Sequence, residues 1–172
     1  MNHELLIKIK DKDRLAQRQV YEQFAGKLFA VCKRYLKNDE DAEEVLADTF
    51  FIVFSKIGQL QNVEVFEAWA KKIAVNQCLQ QLRKKEMLQI SIDEIYLEKH
   101  LEDHNSSSFE KDIMALLNFL PEGCRTIFNL FAIEGYPHKE IAEMLSISEG
   151  TSKSQVNFAR KKLQELLQTQ QV

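Results

Sequence analysis

Apolar residues recur every three or four positions along most of this chain, which is the period of an α-helix. Between residues 11 and 36 they fall on or near one stripe: Leu15, Val20, Phe24, Leu28, Val31 and Tyr35. Only 5 Gly and 2 Pro interrupt the 172 residues, so few positions suit the tight turns of β-hairpins. The sequence therefore predicts an all-α protein.

Two further helices are predicted before residue 87. The first begins after Asn38, a good capping residue, carries acidic side chains in its first turn and ends at Gly58. Residues 59–65 are then expected to form a surface loop. A second helix, from about residue 66 to 86, has its apolar side chains on one side: Phe66, Trp69, Ile73, Ala74, Cys78 and Leu82.

Charge divides the chain into three parts. Residues 1–90 hold 15 basic and 13 acidic side chains (+2), residues 91–112 hold 2 and 7 (−5), and residues 113–172 hold 6 and 6 (0). We therefore predict a helical domain over residues 1–87, a flexible acidic linker over 88–111 and a second helical domain over 112–172.

His100 and His104 are four residues apart, a spacing that can bind a metal ion. Because no third ligand is evident, two solvated histidines are favoured, and no metal or cofactor is predicted.

The last 60 residues predict a helix-turn-helix. Pro121 begins a helix that breaks at Gly135, Pro137 starts a short second helix, and Ser148 can cap a longer third one. A short helix, a brief turn and a longer helix with polar exposed positions are typical of this DNA-binding motif.

Several classes of protein are disfavoured by the sequence. Its apolar runs are far shorter than the roughly 20 residues that cross a bilayer, and the first residues do not resemble a signal peptide, so we expect no membrane insertion and a cytoplasmic location. Cys32, Cys78 and Cys124 lie among apolar neighbours, as reduced core residues do. No motif for catalysis is present, so no enzyme is predicted.

Three segments resemble the extracytoplasmic-function (ECF) group of bacterial RNA polymerase sigma factors, in the sigma-70 family. DEDAEEVLADTFFIVFSKI is similar to the family's polymerase-binding helix, FEAWAKKIAVNQCLQQLRKK to its promoter-melting helix, and residues 117–167 to its C-terminal DNA-binding domain. The resemblance implies a factor that binds core RNA polymerase and directs promoter-specific initiation, with promoter DNA, duplex and single-stranded, as its second partner. An anti-sigma factor is a further partner that the family allows.

The resemblance implies a polymerase-binding surface on the helix after Asn38, composed of acidic groups and aromatic anchors. Its residues are Asp41, Glu44, Asp48, Phe51 and Phe54. Taken without the resemblance, the same residues would be interpreted as a solvated acidic face.

A second implied surface binds the separated strand near the minus-ten element, through basic side chains and a loop that receives an unstacked base. Its residues are Gln61, Asn62, Lys71, Lys72, Asn76, Arg83, Lys84 and Lys85. Trp69 is a candidate for stacking on a base, but Ile73 lies one turn further along the same side, which favours a core role for Trp69.

The last helix is expected to read the minus-thirty-five element in the major groove. The resemblance places Lys153, Ser154, Asn157 and Phe158 towards the bases, and Gln155 and Arg160 towards the backbone. The opposite stripe is expected to be buried: Val156, Ala159, Leu163 and Leu167. Two residues depart from the commonest family pattern, since Ser152 replaces an aliphatic residue and Gln155 replaces an arginine.

Two alternatives stay open at this point. The acidic linker, with Asp93, Glu94 and Glu98 among its residues, is either a nucleic-acid mimic in a basic polymerase channel or an inert tether. The rival function is an autonomous helix-turn-helix regulator, which would explain the C-terminal third of the chain but not the acidic and aromatic N-terminal helices.

Overall fold

The computed structural model describes residues 1–85 and 115–169. The chain forms two compact units, Met1–Lys85 and Glu86–Val172. Within the described ranges every regular element is helical and there is no strand, so the all-α prediction is confirmed. The predicted linker, with its acidic residues and His100 and His104, lies outside these ranges, and its boundaries stay a prediction.

The first unit contains four helices. They are α1 (His3–Lys10), α2 (Arg14–Tyr35), α3 (Asp39–Lys56) and α4 (Phe66–Lys84). The predicted loop between α3 and α4 contains two short 3-10 turns, Ile57–Gln59 and Val63–Val65. Helices α2, α3 and α4 pack against one another around a common core, where the rings of Phe24 and Phe66 lie 4.8 Å apart between centroids.

Two features of this unit were not predicted correctly. Helix α1 was not predicted at all, although it is capped by Asn2 and buries Leu5, Leu6 and Ile9. Leu15 was placed on the buried stripe of α2, but its side chain is 78% exposed. Leu15 lies five positions before Val20, off the helical repeat, whereas the buried Ala16 lies four positions before it.

The second unit follows the predicted order of helix starts and stops. Residues 115–118 are helical. The remaining elements are α5 (Glu122–Phe128), a π-helical turn (Asn129–Ile133), α6 (His138–Leu145) and α7 (Glu149–Thr169). Gly135 adopts φ +80°, which suits glycine, and Ser148 caps α7 by accepting a hydrogen bond from the Thr151 amide at 2.9 Å. Helices α6 and α7 with the turn between them form the predicted helix-turn-helix.

Cysteine placement agrees with the sequence analysis. Cys32, Cys78 and Cys124 are all buried, and none forms a disulfide. Burial raises the pKa of the Cys124 thiol to about 12.

None of the helices in the described ranges is long and apolar enough to span a membrane. The same residues contain no group of three or more His, Cys, Asp or Glu side chains arranged to hold a metal ion.

Arg125 of α5 is fully buried and joins this helix to the helical residues 115–118. The Arg125 guanidinium donates to Asn118 Oδ1 at 2.8 Å and pairs with Glu122 at 2.8 Å. Burial lowers the pKa of Arg125, and the neighbouring Glu122 carboxylate opposes that effect. Because a buried charge is tolerated only when it is paired, these two partners are required for this core.

We expect Arg125→Ala to lower the free energy of local unfolding of residues 115–169 by about 3–5 kcal/mol, because it leaves Glu122 and Asn118 without their donor. Hydrogen exchange of backbone amides, followed by mass spectrometry on the full chain, measures this. Arg18→Ala is the matched control, because Arg18 forms an exposed ion pair with Glu22 and its loss costs less than about 1 kcal/mol. A cost for Arg125→Ala no larger than that of the control would contradict the prediction.

Candidate protein and nucleic-acid interfaces

One exposed face of α3 combines acidic and aromatic side chains. Glu44, Asp48 and Phe51 follow one another at intervals of four and three residues, so they share this face, whereas Asp41, at the start of the same stripe, has a side chain that is only 14% exposed. The other side of α3 is buried against α2 and α4, which leaves Phe51 74% exposed. A single exposed apolar side chain is normal on a protein surface, so Phe51 marks a candidate interface only in combination with the carboxylates beside it.

The fifth predicted member of this face is placed differently. Phe54 is half-buried, and its ring centroid lies 5.7 Å from that of Phe50 in the core. Phe54 can therefore contribute less of its surface to an interface than Phe51 can.

The acidic end of α3 lies against the C-terminal end of α4. Gln81 Nε2 donates to a Glu44 carboxylate oxygen at 3.2 Å, and Lys85 forms an ion pair with Asp41. Two predicted polymerase-binding residues are thus in contact with the helix predicted to bind DNA. These partners are 37 and 44 residues apart in the chain, so no local pattern could reveal the contacts.

The basic residues of α4 fall into two groups. Lys72, Asn76 and Arg83 are exposed along one stripe, and Lys84 is exposed next to Arg83. The other two predicted DNA-binding cations form ion pairs within the first unit. Lys85 pairs with Asp41, and Lys71 Nζ lies 3.1 Å from a carboxylate oxygen of Glu67.

Glu67 also pairs with Lys27 of α2, at 2.7 Å. Hydrogen bonds from Lys27 and Lys71 lower the pKa of the Glu67 carboxyl. The charge of Lys71 is thus partly neutralised before any DNA approaches.

The loop between α3 and α4 presents two exposed amides. Gln61 and Asn62 are both exposed, and Asn62 Oδ1 caps the second 3-10 turn by accepting from the Glu64 amide at 2.8 Å. Trp69 is half-buried, with its ring centroid 6.1 Å from that of Phe66. Trp69 therefore packs against the edge of the core while part of its ring faces solvent.

In the second unit, α7 exposes four of the six predicted DNA-binding residues: Lys153, Ser154, Asn157 and Arg160. Lys153 pairs with Glu149 one turn earlier, at 3.2 Å, so part of its charge is compensated. The Arg160 guanidinium lies 5.6 Å from the centre of the Phe131 ring, a cation–π contact that limits the positions of its side chain.

Three predictions about α7 require correction. Gln155 was placed towards the DNA backbone but is only 5% exposed, because it follows Ser152 by three positions on the side that packs against the unit. Phe158 was placed towards the bases but is half-buried against the cluster of Leu117, Leu120, Cys124 and Ala159. Leu167 was expected to be buried but is 39% exposed, because the last turns of α7 extend beyond the packed core.

The structure also brings together two residues that the sequence analysis did not connect. Ser152 is fully buried, and its Oγ lies 2.9 Å from Nδ1 of His138, the first residue of α6. The His138 ring stacks on Phe131, with 4.3 Å between centroids and 11° between planes. The only signal in the sequence was a serine at a position where helical spacing requires an apolar residue.

Comparison with protein families finds two matches, one in each unit. The model of sigma-70 region 2 matches residues 20–87, which include α2 to α4, and the model of sigma-70 region 4 matches residues 110–163, which include the helix-turn-helix. The two matches, with the surfaces described above, define a transcription initiation factor of the sigma type. A match in the first unit is not expected of an autonomous helix-turn-helix regulator.

Similar proteins agree with this class. The RNA polymerase sigma factor SigV of Bacillus subtilis is 30% identical over 129 residues, which cover 74% of this chain and 76% of SigV. The ECF sigma factor SigE of Mycolicibacterium smegmatis is 28% identical over 156 residues, 87% of this chain, and the match spans 60% of SigE. The chain belongs to the sigma-70 family of RNA polymerase sigma factors, in its ECF group.

Two solved structures share the fold. A complex of CnrH with the cytosolic domain of CnrY matches at 21% identity and a TM-score of 0.53, over 96% of both chains. The sigma factor RpoE of Bartonella quintana, bound to the anti-sigma factor NepR, matches at 22% identity and a TM-score of 0.55, over 88% of this chain and 96% of RpoE.

Proposed function

We propose that this sigma factor works through three separate surfaces: α3 binds core RNA polymerase, α4 and the loop before it bind the minus-ten element, and α7 reads the minus-thirty-five element. The main support for this proposal is that each region matched by a family model has surface side chains suited to the partner proposed for it. The region 2 match contains an exposed acidic and aromatic face and an exposed basic stripe, and the region 4 match contains a helix-turn-helix with polar exposed positions.

The domain boundaries and the mode of action follow the same proposal. Residues 1–87 would engage the polymerase and the minus-ten element, residues 88–111 would connect the domains, and residues 112–172 would engage the minus-thirty-five element. The factor would act in the cytoplasm, by binding and without catalysis. An anti-sigma protein is a further proposed partner, because the similar RpoE of Bartonella quintana is bound by NepR.

The α3 surface suits a protein partner better than a nucleic acid. Glu44 and Asp48 would repel phosphates, whereas the exposed Phe51 offers a large apolar area for burial in a pocket. Carboxylates around such an anchor give electrostatic complementarity with a basic surface on the partner and speed its association.

We expect Asp48→Arg combined with Phe51→Ala to weaken binding to core polymerase at least about 100-fold, because each change removes a central contact of roughly 2 kcal/mol. Both side chains are exposed, so the fold should be retained. Fluorescence-detected titration with core enzyme measures the affinity. Leu15→Ala is the control, because Leu15 is equally exposed but lies on α2. Unchanged affinity of the double variant would contradict the assignment of α3.

The exposed stripe of α4 suits the backbone of a separated strand. Lys72 and Lys84 have no acidic partner within the described residues, unlike Lys71 and Lys85. Phosphate attraction should therefore come mainly from Lys72 and Lys84, with the exposed Arg83 and the Asn76 amide in the same stripe as Lys72. Gln61 and Asn62 lie in the preceding loop, where they can contact an unstacked base.

We expect Lys72→Glu combined with Lys84→Glu to reduce promoter opening at least tenfold while leaving polymerase binding within twofold, since the changed charges face the strand and not the α3 surface. Permanganate reactivity of unpaired thymines measures opening in the reconstituted complex. Arg14→Glu makes one charge reversal of the same kind, half the change of the double variant, at an exposed position of α2 and should leave opening unchanged. Normal thymine reactivity in the double variant would remove α4 from the proposed strand-binding surface.

On α7, Lys153, Ser154 and Asn157 lie close enough to face one patch of three or four base pairs. We leave Gln155 out of the proposed DNA contacts because it is buried, and Phe158 can contribute only its exposed part. Arg160 is held beside Phe131, and we propose that it contacts the DNA backbone.

We expect Asn157→Ala to change which minus-thirty-five sequences support transcription, because a lost base contact costs about 1–3 kcal/mol at one position. Arg160→Ala should instead lower transcription from all sequences similarly, as loss of a phosphate contact does. Transcription from a promoter library randomised at this element measures both effects. An unchanged ranking with Asn157→Ala would show that this residue does not read bases, and a reordered ranking with Arg160→Ala would show that the two roles are exchanged.

A further inference from the structure

The imidazole of His138 is held in one orientation by two contacts from different parts of the second unit. Stacking on Phe131 fixes the plane of the ring. The contact between Nδ1 and Ser152 Oγ, at 2.9 Å, then fixes which edge of the ring faces α7. Among residues 1–85 and 115–169 the second ring nitrogen, Nε2, has no hydrogen-bond partner. Because these two contacts hold the half-buried ring, Nε2 is the one ring nitrogen left to bind a ligand.

Ser152 explains why the contact exists. It is fully buried in the first turns of α7, where a hydroxyl without a partner would destabilise the fold by about 1–3 kcal/mol. The His138 ring satisfies that hydroxyl. When the Ser152 hydroxyl donates to Nδ1, the proton of the neutral ring resides on Nε2, which then becomes an outward-facing donor.

The surroundings of His138 are those of a phosphate-binding residue. Burial lowers the pKa of His138, and three charged residues of α7 also act on it: Lys153 and Arg160 lower the pKa, and Glu149 raises it. On α6 itself, Lys139 and Glu140 follow His138 in the chain and are exposed. Lys153 and Arg160 are themselves proposed to contact DNA. In a helix-turn-helix the first helix crosses the DNA backbone while the second lies in the major groove, so the start of α6 faces phosphates.

We propose that His138 is a further DNA-binding residue, which donates a hydrogen bond from Nε2 to a backbone phosphate of the minus-thirty-five element, and that Ser152 positions it. This inference rests on the proposed reading of that element by α7. It deepens that reading by adding a backbone contact from α6.

A phosphate contact from His138 would make DNA affinity depend on pH. In the free factor His138 is largely neutral at pH 7, because its pKa lies below the ordinary value of 6.5. A phosphate next to Nε2 favours the imidazolium, in which the added proton is on Nδ1 and Ser152 Oγ accepts the hydrogen bond, so the pKa of His138 is higher in the DNA complex. DNA binding therefore takes up a proton, and affinity increases as pH falls from above the complex's pKa towards that of the free factor.

The test uses the full chain assembled with core polymerase and a labelled duplex containing the minus-thirty-five element, with affinity measured between about pH 6 and about pH 8. His138→Gln keeps a neutral amide donor that does not titrate, so it should bind nearly as tightly at pH 8 but lose the pH dependence carried by wild type. His138→Phe retains the stack on Phe131 without either nitrogen. It should bind about three- to tenfold more weakly to every sequence.

Two further variants separate positioning from general structure. Ser152→Ala frees the ring, so it should weaken binding while retaining a pH dependence from His138. Lys139→Gln removes the exposed cation next to His138 on α6 and should keep the full wild-type pH dependence. Amide hydrogen exchange of residues 115–169 verifies that each variant is folded.

Equal pH dependence in wild type and His138→Gln would overturn the proposal, and so would wild-type affinity in a folded His138→Phe variant. Failure of the proposed function gives a different result, because the wild-type chain would then neither bind core polymerase nor support promoter-directed transcription.

Discussion

Burial of one apolar stripe on each of α2, α3 and α4 against a common core determines where every proposed surface of the first unit lies. The packing of Phe24 on Phe66, with Val45, Phe50 and Val53 of α3, fixes the rotation of each helix about its own axis. Each such side chain contributes roughly 1.5–3 kcal/mol when it is fully buried. With those rotations fixed, Asp48 and Phe51 face outward on α3, and Lys72 and Lys84 face outward on α4.

The helical repeat of apolar residues predicted most of the helices. It could not predict the contacts of a side chain whose neighbours come from distant parts of the chain. The caps and breaks at Asn38, Pro121, Gly135 and Ser148 are local and were identified correctly. Helix α1 was missed because it has only eight residues, and the alternation of apolar and charged side chains from Ile7 to Lys10 does not follow the helical period. The ion pair of Lys85 with Asp41 and the bond of Ser152 to His138 join different helices, so spacing alone could not predict them.

Charge compensation within the chain, together with a net charge of −3, limits how strongly the free protein attracts DNA. Lys71, Lys85 and Lys153, three of the predicted DNA-binding cations, each have a carboxylate within ion-pair distance. The pairs of Lys71 and Lys153 are exposed and therefore weak, about 1 kcal/mol or less, so they yield to a phosphate without a large penalty, whereas the Asp41 carboxylate that pairs with Lys85 is only 14% exposed. They nevertheless reduce the attraction of the free factor for DNA, so stable promoter binding depends on a partner that adds contacts.

We expect this chain to bind promoter DNA specifically only as part of a complex with core RNA polymerase. A mobility-shift experiment tests this, with a labelled duplex that supports transcription and with the chain alone, core polymerase alone and both together at physiological salt. A sequence-specific complex should form only when both are present, and it should be lost when Asp48 and Phe51 are replaced. A sequence-specific complex formed by the chain alone, unaffected by those replacements, would indicate an autonomous regulator instead of a sigma factor.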